Sequence, residues 1–454
     1  MAAAPSAGRR IAGPGACRSA PSRRRRVPGL LLLGALLLCA LQAQARQAHG
    51  QGTAAGHDQA RAGACLPDCA AVAPRLGIEV LLDERIELLR GRRVGLVTNA
   101  TGVDSRLRST VDLLAAHPQV DLVALFGPEH GVRGDVQAGD HVADMRDPAT
   151  GLPVHSLYGE HRVPTPAMLA GVEVLVFDIQ DVGTRFYTYP YTLAGVMQAA
   201  AAAGIPVVVP DRPDPLGGLL LEGPVLDPAL ASFVGMFPIP LRHGMTIGEL
   251  ARLFNAEYGI GAQLHVVPMQ GWRRGDEPLR GALPWVPPSP NMPTPDTALV
   301  YPGTGLLEGT NISEGRGTTR PFEIIGAPFV DAVGLAARLN AQALPGVLFR
   351  PVWFTPSFSK HAGQPSAGVQ LHVTDRSAFR PVRSGIAVLK ALHDLHPDQF
   401  AFLPGTPPFF DRLAGVDWLR AAIEAGQPLE DIEARWEHGL AAFAERREAY
   451  LLYR

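Results

Sequence analysis

Cysteine is nearly absent from the chain: four occur in 454 residues and none follows Cys69. A fold resting on disulfides is therefore excluded for the bulk of the protein. Cys65-Leu-Pro-Asp-Cys69 allows a small local disulfide in an oxidising compartment, or a zinc half-site that no second Cys or His pair completes. Charge of one sign is also lacking. The formal net charge of -2 leaves no global basic field, so nucleic acid is not an expected partner. No closed His/Asp/Glu ligand set is spaced along the chain, and no metal or other cofactor is expected. A P-loop Gly-Lys-Ser/Thr and a nucleophile elbow G-x-S-x-G are both missing.

What is present begins with an export pattern. Arg23 to Arg26 form a basic run, Val27 to Ala40 is almost wholly apolar, and Ala43-Gln44-Ala45 is an A-x-A cleavage pattern. That order is a secretory signal peptide over residues 1–45. The apolar stretch falls short of the roughly 20 residues a membrane span needs, so no stable span is expected after cleavage. Cys39 does not make a lipoprotein site, because Leu38 precedes it where a small residue belongs. The mature chain is expected to be exported, periplasmic or secreted. An Ala-, Gly-, Gln- and His-rich linker without periodicity fills residues 46–76.

From Gly77 onward, strand and helix patterns alternate. Helical texture at Ile78 to Leu89, Thr110 to Ala116, Thr192 to Ala203 and Thr246 to Tyr258 is interleaved with apolar strands. Those strands are Arg93–Thr98, Asp121–Phe126, Val172–Phe177, Ile205–Val209 and Gln263–Val267. Thr246 with Glu249 three residues on reads as a capping box. The alternation predicts an α/β class, a Rossmann-like parallel sheet with flanking helices, over residues 77–298. In such sheets the ligand crevice lies beyond the carboxyl ends of the strands. Past Leu299 a Gly- and Thr-rich loop from Pro302 to Thr319 is followed by helix near Asp331 to Ala341. Strands near Val347–Phe354 and Val369–Thr374 follow, then helices near Gly385–Leu395 and Pro428–Tyr450. This is a smaller mixed α/β C-terminal domain over 299–454.

Four polar segments could carry chemistry. Glu129 and His130 follow a strand within Phe126-Gly-Pro-Glu-His-Gly131, where burial would raise the carboxyl pKa and suit it to general-acid work. His130 reads as a hydrogen-bonding neighbour. The segment Asp178 to Tyr189 gathers Asp178, Gln180, Asp181, Arg185, Tyr187 and Tyr189 directly after another strand. Polar groups for hydroxyls and aromatic faces for a ring suit a sugar; the alternative is an Asp178 or Asp181 to Arg185 ion pair closing a loop. Arg242-His243-Gly244 precedes a helix start, where free amides favour anions, and Asn291 sits among prolines. Leu307 to Arg320 holds Glu308, Asn311, Glu314 and Arg316 with three glycines, a loop costly to order without a ligand or partner surface. Two apparent motifs are set aside. Gly303-Thr-Gly305-Leu-Leu-Glu-Gly309 places its third glycine one residue late for a dinucleotide fingerprint, and Ser357-Phe-Ser-Lys360 lacks the K-T-G and S-D-N partners of penicillin-interacting serine enzymes.

Taken together, these segments resemble the bacterial exo-β-N-acetylmuramidases, a family formerly catalogued as a domain of unknown function. The resemblance runs from Gly77 to Arg454. It is carried by Leu96-Val-Thr-Asn-Ala-Thr-Gly102, Gly127-Pro-Glu-His-Gly131, Asp178 to Tyr189, Asp211-Arg-Pro213, Arg242-His-Gly-Met-Thr246, Ser289-Pro-Asn-Met-Pro293 and Glu308 to Thr318. Asp214 stands where Asn would be expected in such a chain. The resemblance implies a cleft between two domains and release of N-acetylmuramic acid from the non-reducing end of peptidoglycan oligosaccharides or muropeptides. By position Glu129 is the general acid, with Glu308 or Glu314 as second carboxylate and Asp178 in reserve. Arg316, Arg185 and Arg242 are candidate cations for the lactyl carboxylate. Two rival readings stand beside it: a periplasmic sugar-binding protein that only grips, and a serine hydrolase using Ser357 and Lys360.

Overall fold

A computed structural model describes residues 73–134 and 145–454. The export signal, the Cys65–Cys69 pair and nearly all of the linker lie outside the described residues. Arg75, at the end of the expected linker, already bridges Gln270 and pairs with Asp83 and Glu84. No helix among the described residues is long and apolar enough to cross a membrane.

The first part of the chain runs through β1 (Arg93–Thr98), β2 (Asp121–Gly127), β3 (Met145–Arg146), β4 (Pro153–Ser156), β5 (Val174–Asp178) and β6 (Val207–Pro210). An antiparallel ribbon of β7 (Glu222–Val225) and β8 (Pro240–Arg242) follows, then β9 (Leu264–Val267). Apart from that ribbon, these strands form one sheet in the order β3-β4-β2-β1-β5-β6-β9, parallel except for the short edge strand β3. Chain direction across the sheet reverses between β1 and β5, which pair from Val94–Val174 to Thr98–Asp178.

Strand β5 explains why the sheet reads as continuous apolar runs. Val174 and Val176 face a core shared with α1 (Gly77–Glu84) and α2 (Thr110–Ala116). Leu175 and Phe177 face the other side, with α3 (Tyr189–Ala203) and α4 (Ile247–Glu257). Both faces are buried, so both residues of each alternating pair must be apolar. Helix α4 starts as its sequence requires: the Thr246 hydroxyl accepts from the Glu249 amide at 3.2 Å, and the Glu249 carboxylate accepts from the Thr246 amide at 2.9 Å.

The remainder comprises α5 (Pro295–Thr304), β10 (Ile324–Ala327), α6 (Ala332–Asn340), β11 (Val347–Phe354), β12 (Ser366–Val373), α7 (Pro381–Leu395), α8 (Phe409–Ala414), α9 (Trp418–Glu424) and α10 (Leu429–Arg447). Its sheet is antiparallel, with β12 between β10 and β11. The segment expected as a loop from Pro302 is corrected here. Pro302 lies inside α5, and a 3-10 turn continues to Gly309. A proline interior to a helix reads as a break because it removes one backbone donor. Near the end of a short helix that loss is small.

The glycines that mimic a dinucleotide fingerprint serve close packing instead. Helices α5 and α7 touch backbone to backbone: a Cβ on Gly303 would fall 1.9 Å from the Pro381 carbonyl oxygen, and one on Gly385 2.4 Å from Gly303. Substituting Gly303→Ala must push the two helices apart. We expect a stability loss of about 3 kcal/mol in urea-induced unfolding, together with reduced turnover because α5 leads directly to Glu308.

Candidate active site

Loops at the carboxyl ends of the main sheet meet α5, α8 and the Arg316 loop around a cleft of about 300 Å³. After β2 come Glu129 and His130. After β4 come Tyr158 and Arg162, and after β5 Phe186 to Tyr189. Tyr301, Glu308 and Arg316 close it from the opposite side, with Phe233, Ser289 and Phe409 at its margins. Of the residues singled out in the sequence, the cleft therefore brings together Glu129, His130, Tyr187, Tyr189, Glu308 and Arg316.

Backbone conformation presents Glu129. His130 and Gly131 both adopt positive φ, 77° and 76°, in a turn closed by the Gly131 amide on the Pro128 carbonyl. A left-handed histidine is a backbone cost concentrated at functional turns. Tyr158 faces Glu129; burial, and then the negative charge of Glu129, push its hydroxyl up to about 12.

On the opposite wall, Arg316 bridges two acids, Glu308 at 3.3 Å and Glu314 at 3.1 Å, and lies over the Phe322 ring. Lys360 completes the group. Its ammonium sits 3.0 Å from Glu314 and donates to the carbonyls of Leu307, Ile312 and, more distantly, Glu308. Burial raises the Glu308 pKa and Glu314 raises it further, while Arg316 and Lys360 pull it back; the net direction is upward. Arg316 is held above the ordinary arginine range by Glu308 and Glu314, against the opposing effect of burial. Glu314 itself is buried beneath the cleft, so it anchors Arg316 and does not line the cavity.

An aromatic wall runs between the two acids. Tyr187 meets Tyr189 edge-on at 4.9 Å and Tyr301 at 5.9 Å, and Tyr301 meets Phe186 at 5.1 Å. The Tyr189 hydroxyl donates to the Pro288 carbonyl, and the Tyr187 hydroxyl is buried beside Ser289 and Tyr189.

Several expected site residues lie elsewhere. Asp178 is fully buried and gripped through both oxygens by Arg212, at 2.5 and 2.8 Å, with Thr110 as a third donor. It fastens the end of β5 and faces no cleft. The alternative Asp–Arg185 pair is not formed either. Arg185 is buried and donates to the carbonyls of Pro224, Ile239 and Leu413; loss of solvent lowers its pKa to about 10. Gln180 donates to the carbonyls of Asp181 and Pro213, and Asp181 lies 3.2 Å from the buried His243 ring. Arg242 is buried and donates to the Leu216 carbonyl. Asn291 is buried outside the cleft lining, and Asn311 pairs with the backbone of Gln399 and Ala401. Arg185 and Arg242 are thus corrected as lactyl-binding cations: both are buried in the scaffold, outside the cleft lining, and donate to backbone carbonyls there. Lys360 is likewise no partner for Ser357, whose hydroxyl donates to the Gly317 carbonyl.

The sequence reading passes over Tyr158, Arg162, Phe233 and Tyr301, and takes Lys360 only as a partner for Ser357. A usable signal existed for the first two. Pro153–Ser156 is a strand of only four residues joined to β2 by three register pairs. A strand there puts the loop at its carboxyl end, with Tyr158 and Arg162, among those that border the crevice.

Hydrolysis of an acetal between sugars asks for one carboxyl group on each side of a bond and a surface for the ring. The class defined by this fold and cleft is glycoside hydrolase. Comparison with known proteins narrows it. The model of the N-terminal part of exo-β-N-acetylmuramidase NamZ matches residues 94–296, and that of its C-terminal part matches 299–453. The peptidoglycan β-N-acetylmuramidase NamZ of Bacillus subtilis (strain 168) is 55% identical over 377 residues, spanning 83% of this chain and 91% of that protein. Two crystal structures of DUF1343 family proteins from Bacteroides fragilis NCTC 9343 share the fold. BF0371 has a TM-score of 0.79 and 41% identity, covering 84% of this chain and all of that one; BF0379 has a TM-score of 0.67 and 30% identity, covering 84% and 99%. The chain belongs to the exo-β-N-acetylmuramidase NamZ family.

Lys360 offers a direct test of the electrostatics. Lys360→Met removes a cation that favours the ionised form of Glu308, so the Glu308 pKa must rise. The limb of the kcat/KM–pH profile that reports Glu308 is expected to move to higher pH, with a fall in kcat as its carbonyl anchors are lost. A profile that keeps its shape would remove Lys360 from this role.

Proposed function

We propose that this chain is an exo-acting glycoside hydrolase that releases N-acetylmuramic acid from the non-reducing end of peptidoglycan fragments, in cell-wall turnover and recycling. The observation that carries this reading is the convergence of Glu129 and Glu308, 179 positions apart in sequence by subtraction of their numbers, on one aromatic-walled cleft. Family membership and the strong likeness to a peptidoglycan β-N-acetylmuramidase support the substrate class.

The two acids have different surroundings and so suit different duties. Glu129 stands against Tyr158 on the wall opposite the Glu308–Arg316 pair, a setting in which it can give a proton to the departing glycosidic oxygen. Glu308 lies beside Arg316, which favours the ionised form. Its upward-shifted pKa makes that carboxylate a stronger base, and its charge stabilises the oxocarbenium-like transition state. Tyr187 and Tyr301 supply aromatic surface against which the sugar ring can pack. The basic, apolar and A-x-A order at the N-terminus supports export, with action in the periplasm or outside the cell.

Incubation with a disaccharide bearing a terminal N-acetylmuramic acid, read by mass spectrometry, is the test. The wild type should release the free sugar, and Glu129→Gln and Glu308→Gln should each lower the rate by about 10³-fold, Glu129→Gln while retaining the unfolding midpoint. Turnover of Glu129→Gln at the wild-type rate would remove that residue from the chemistry. Binding without release by the wild type would leave a sugar-binding protein.

A further inference from the structure

We propose that Arg162 reads the carboxylate of the substrate's lactyl arm and sets the preference for muramic acid over an amino sugar without that charge; this rests on the preceding reading and deepens it. Among the described residues, two arginines and no lysine line the cleft, Arg162 and Arg316. Arg316 is already committed, bridging Glu308 and Glu314 from 3.3 and 3.1 Å. A third carboxylate brought to it would have to displace one of these acids. Arg162 carries no such commitment: no carboxylate lies within the 4 Å salt-bridge distance of it among the described residues.

What Arg162 does contact is a ring. Its guanidinium lies over Phe233 at 4.3 Å from the centroid. Stacking of this kind restrains a long side chain without using its N–H donors, which project from the rim of the guanidinium plane. The result is a fork fixed in orientation with its hydrogen-bonding capacity intact, the arrangement a carboxylate grips in two-point fashion. Solvent exposure of the arm lowers the affinity of any ion pair made there; restraint by Phe233 counters this by reducing the ordering cost on binding.

Position favours the assignment as well. The lactyl group is borne by the same ring whose anomeric bond is cut, so its recogniser must lie within one sugar of the acid. Tyr158, Glu129 and Arg162 line the same cleft, and the Tyr158 phenol feels the charges of both of the others. Arg162 also borders a second, largely apolar hollow with Val163, Tyr191, Phe233 and Met236, which leaves room for the methyl group of the lactate beside the fork.

The experiment compares two chromogenic substrates, 4-nitrophenyl N-acetyl-β-muramide and its lactyl methyl ester, in which a methyl group removes the charge on the arm. The readout is the ratio of their kcat/KM values, which cancels any difference in the amount of folded enzyme. The wild type should favour the acid by about tenfold or more. That ratio should collapse toward one in Arg162→Ala and recover in part in Arg162→Lys, which restores charge without the fork. A ratio in Arg162→Ala equal to that of the wild type would overturn the proposal, and so would a wild type indifferent to esterification. Absence of release from either substrate by the wild type would instead defeat the underlying muramidase reading, and this one with it.

Discussion

Two acids and two cations share one small volume, and the cleft depends on their balance. Glu308, Glu314, Arg316 and Lys360 are each too charged to be buried alone; together they neutralise one another. Removing any member leaves a partly desolvated charge without its partner, which costs far more than a surface pair is worth. The same balance fixes one reactive carboxylate against a cleft whose other acid comes from a different part of the chain. Helix α5 sets the height of that group by its glycine contact with α7, so packing and charge place Glu308 jointly.

Much of the α/β frame was legible because burial on both faces leaves a coarse signal. β1 runs from Arg93 to Thr98 as its apolar pattern predicts, and the capping box of α4 appears as its sequence spells it. Elements whose stability comes from distant partners were not legible. The ribbon of β7 and β8, the edge pair β3 and β4, and the short helices α8 and α9 carry too few residues for a period to emerge. Pro302 concealed α5 for a local reason, since its missing amide outweighs, on paper, the packing that retains the helix.

The site was legible by segment and less so by residue. Glu129, Glu308 and Arg316 were found through loops at strand ends or rich in glycine, where chemistry concentrates. The Asp178–Tyr189 segment was over-read for the same reason. A dense mixture of acids, amides and guanidinium groups resembles a sugar site, yet Asp178, Gln180, Asp181 and Arg185 are consumed by buried scaffolding. Sequence records which polar groups are present; only the tertiary arrangement decides whether a carbonyl inside the protein or a ligand will satisfy them. The two tyrosines of that segment, in contrast, do line the cleft.

The hairpin loop between β11 and β12 lies across the segment that carries Glu308, through Ser357, Lys360 and His361. A ribosome emitting this polypeptide from its amino end therefore delivers Glu129 long before the hairpin that steadies its counterpart, and Phe409 of α8 later still. Nascent intermediates possess one half of the reactive pair and lack the clasp for the other. A complete cleft therefore needs the carboxyl-terminal third of the chain as much as the sheet that carries Glu129.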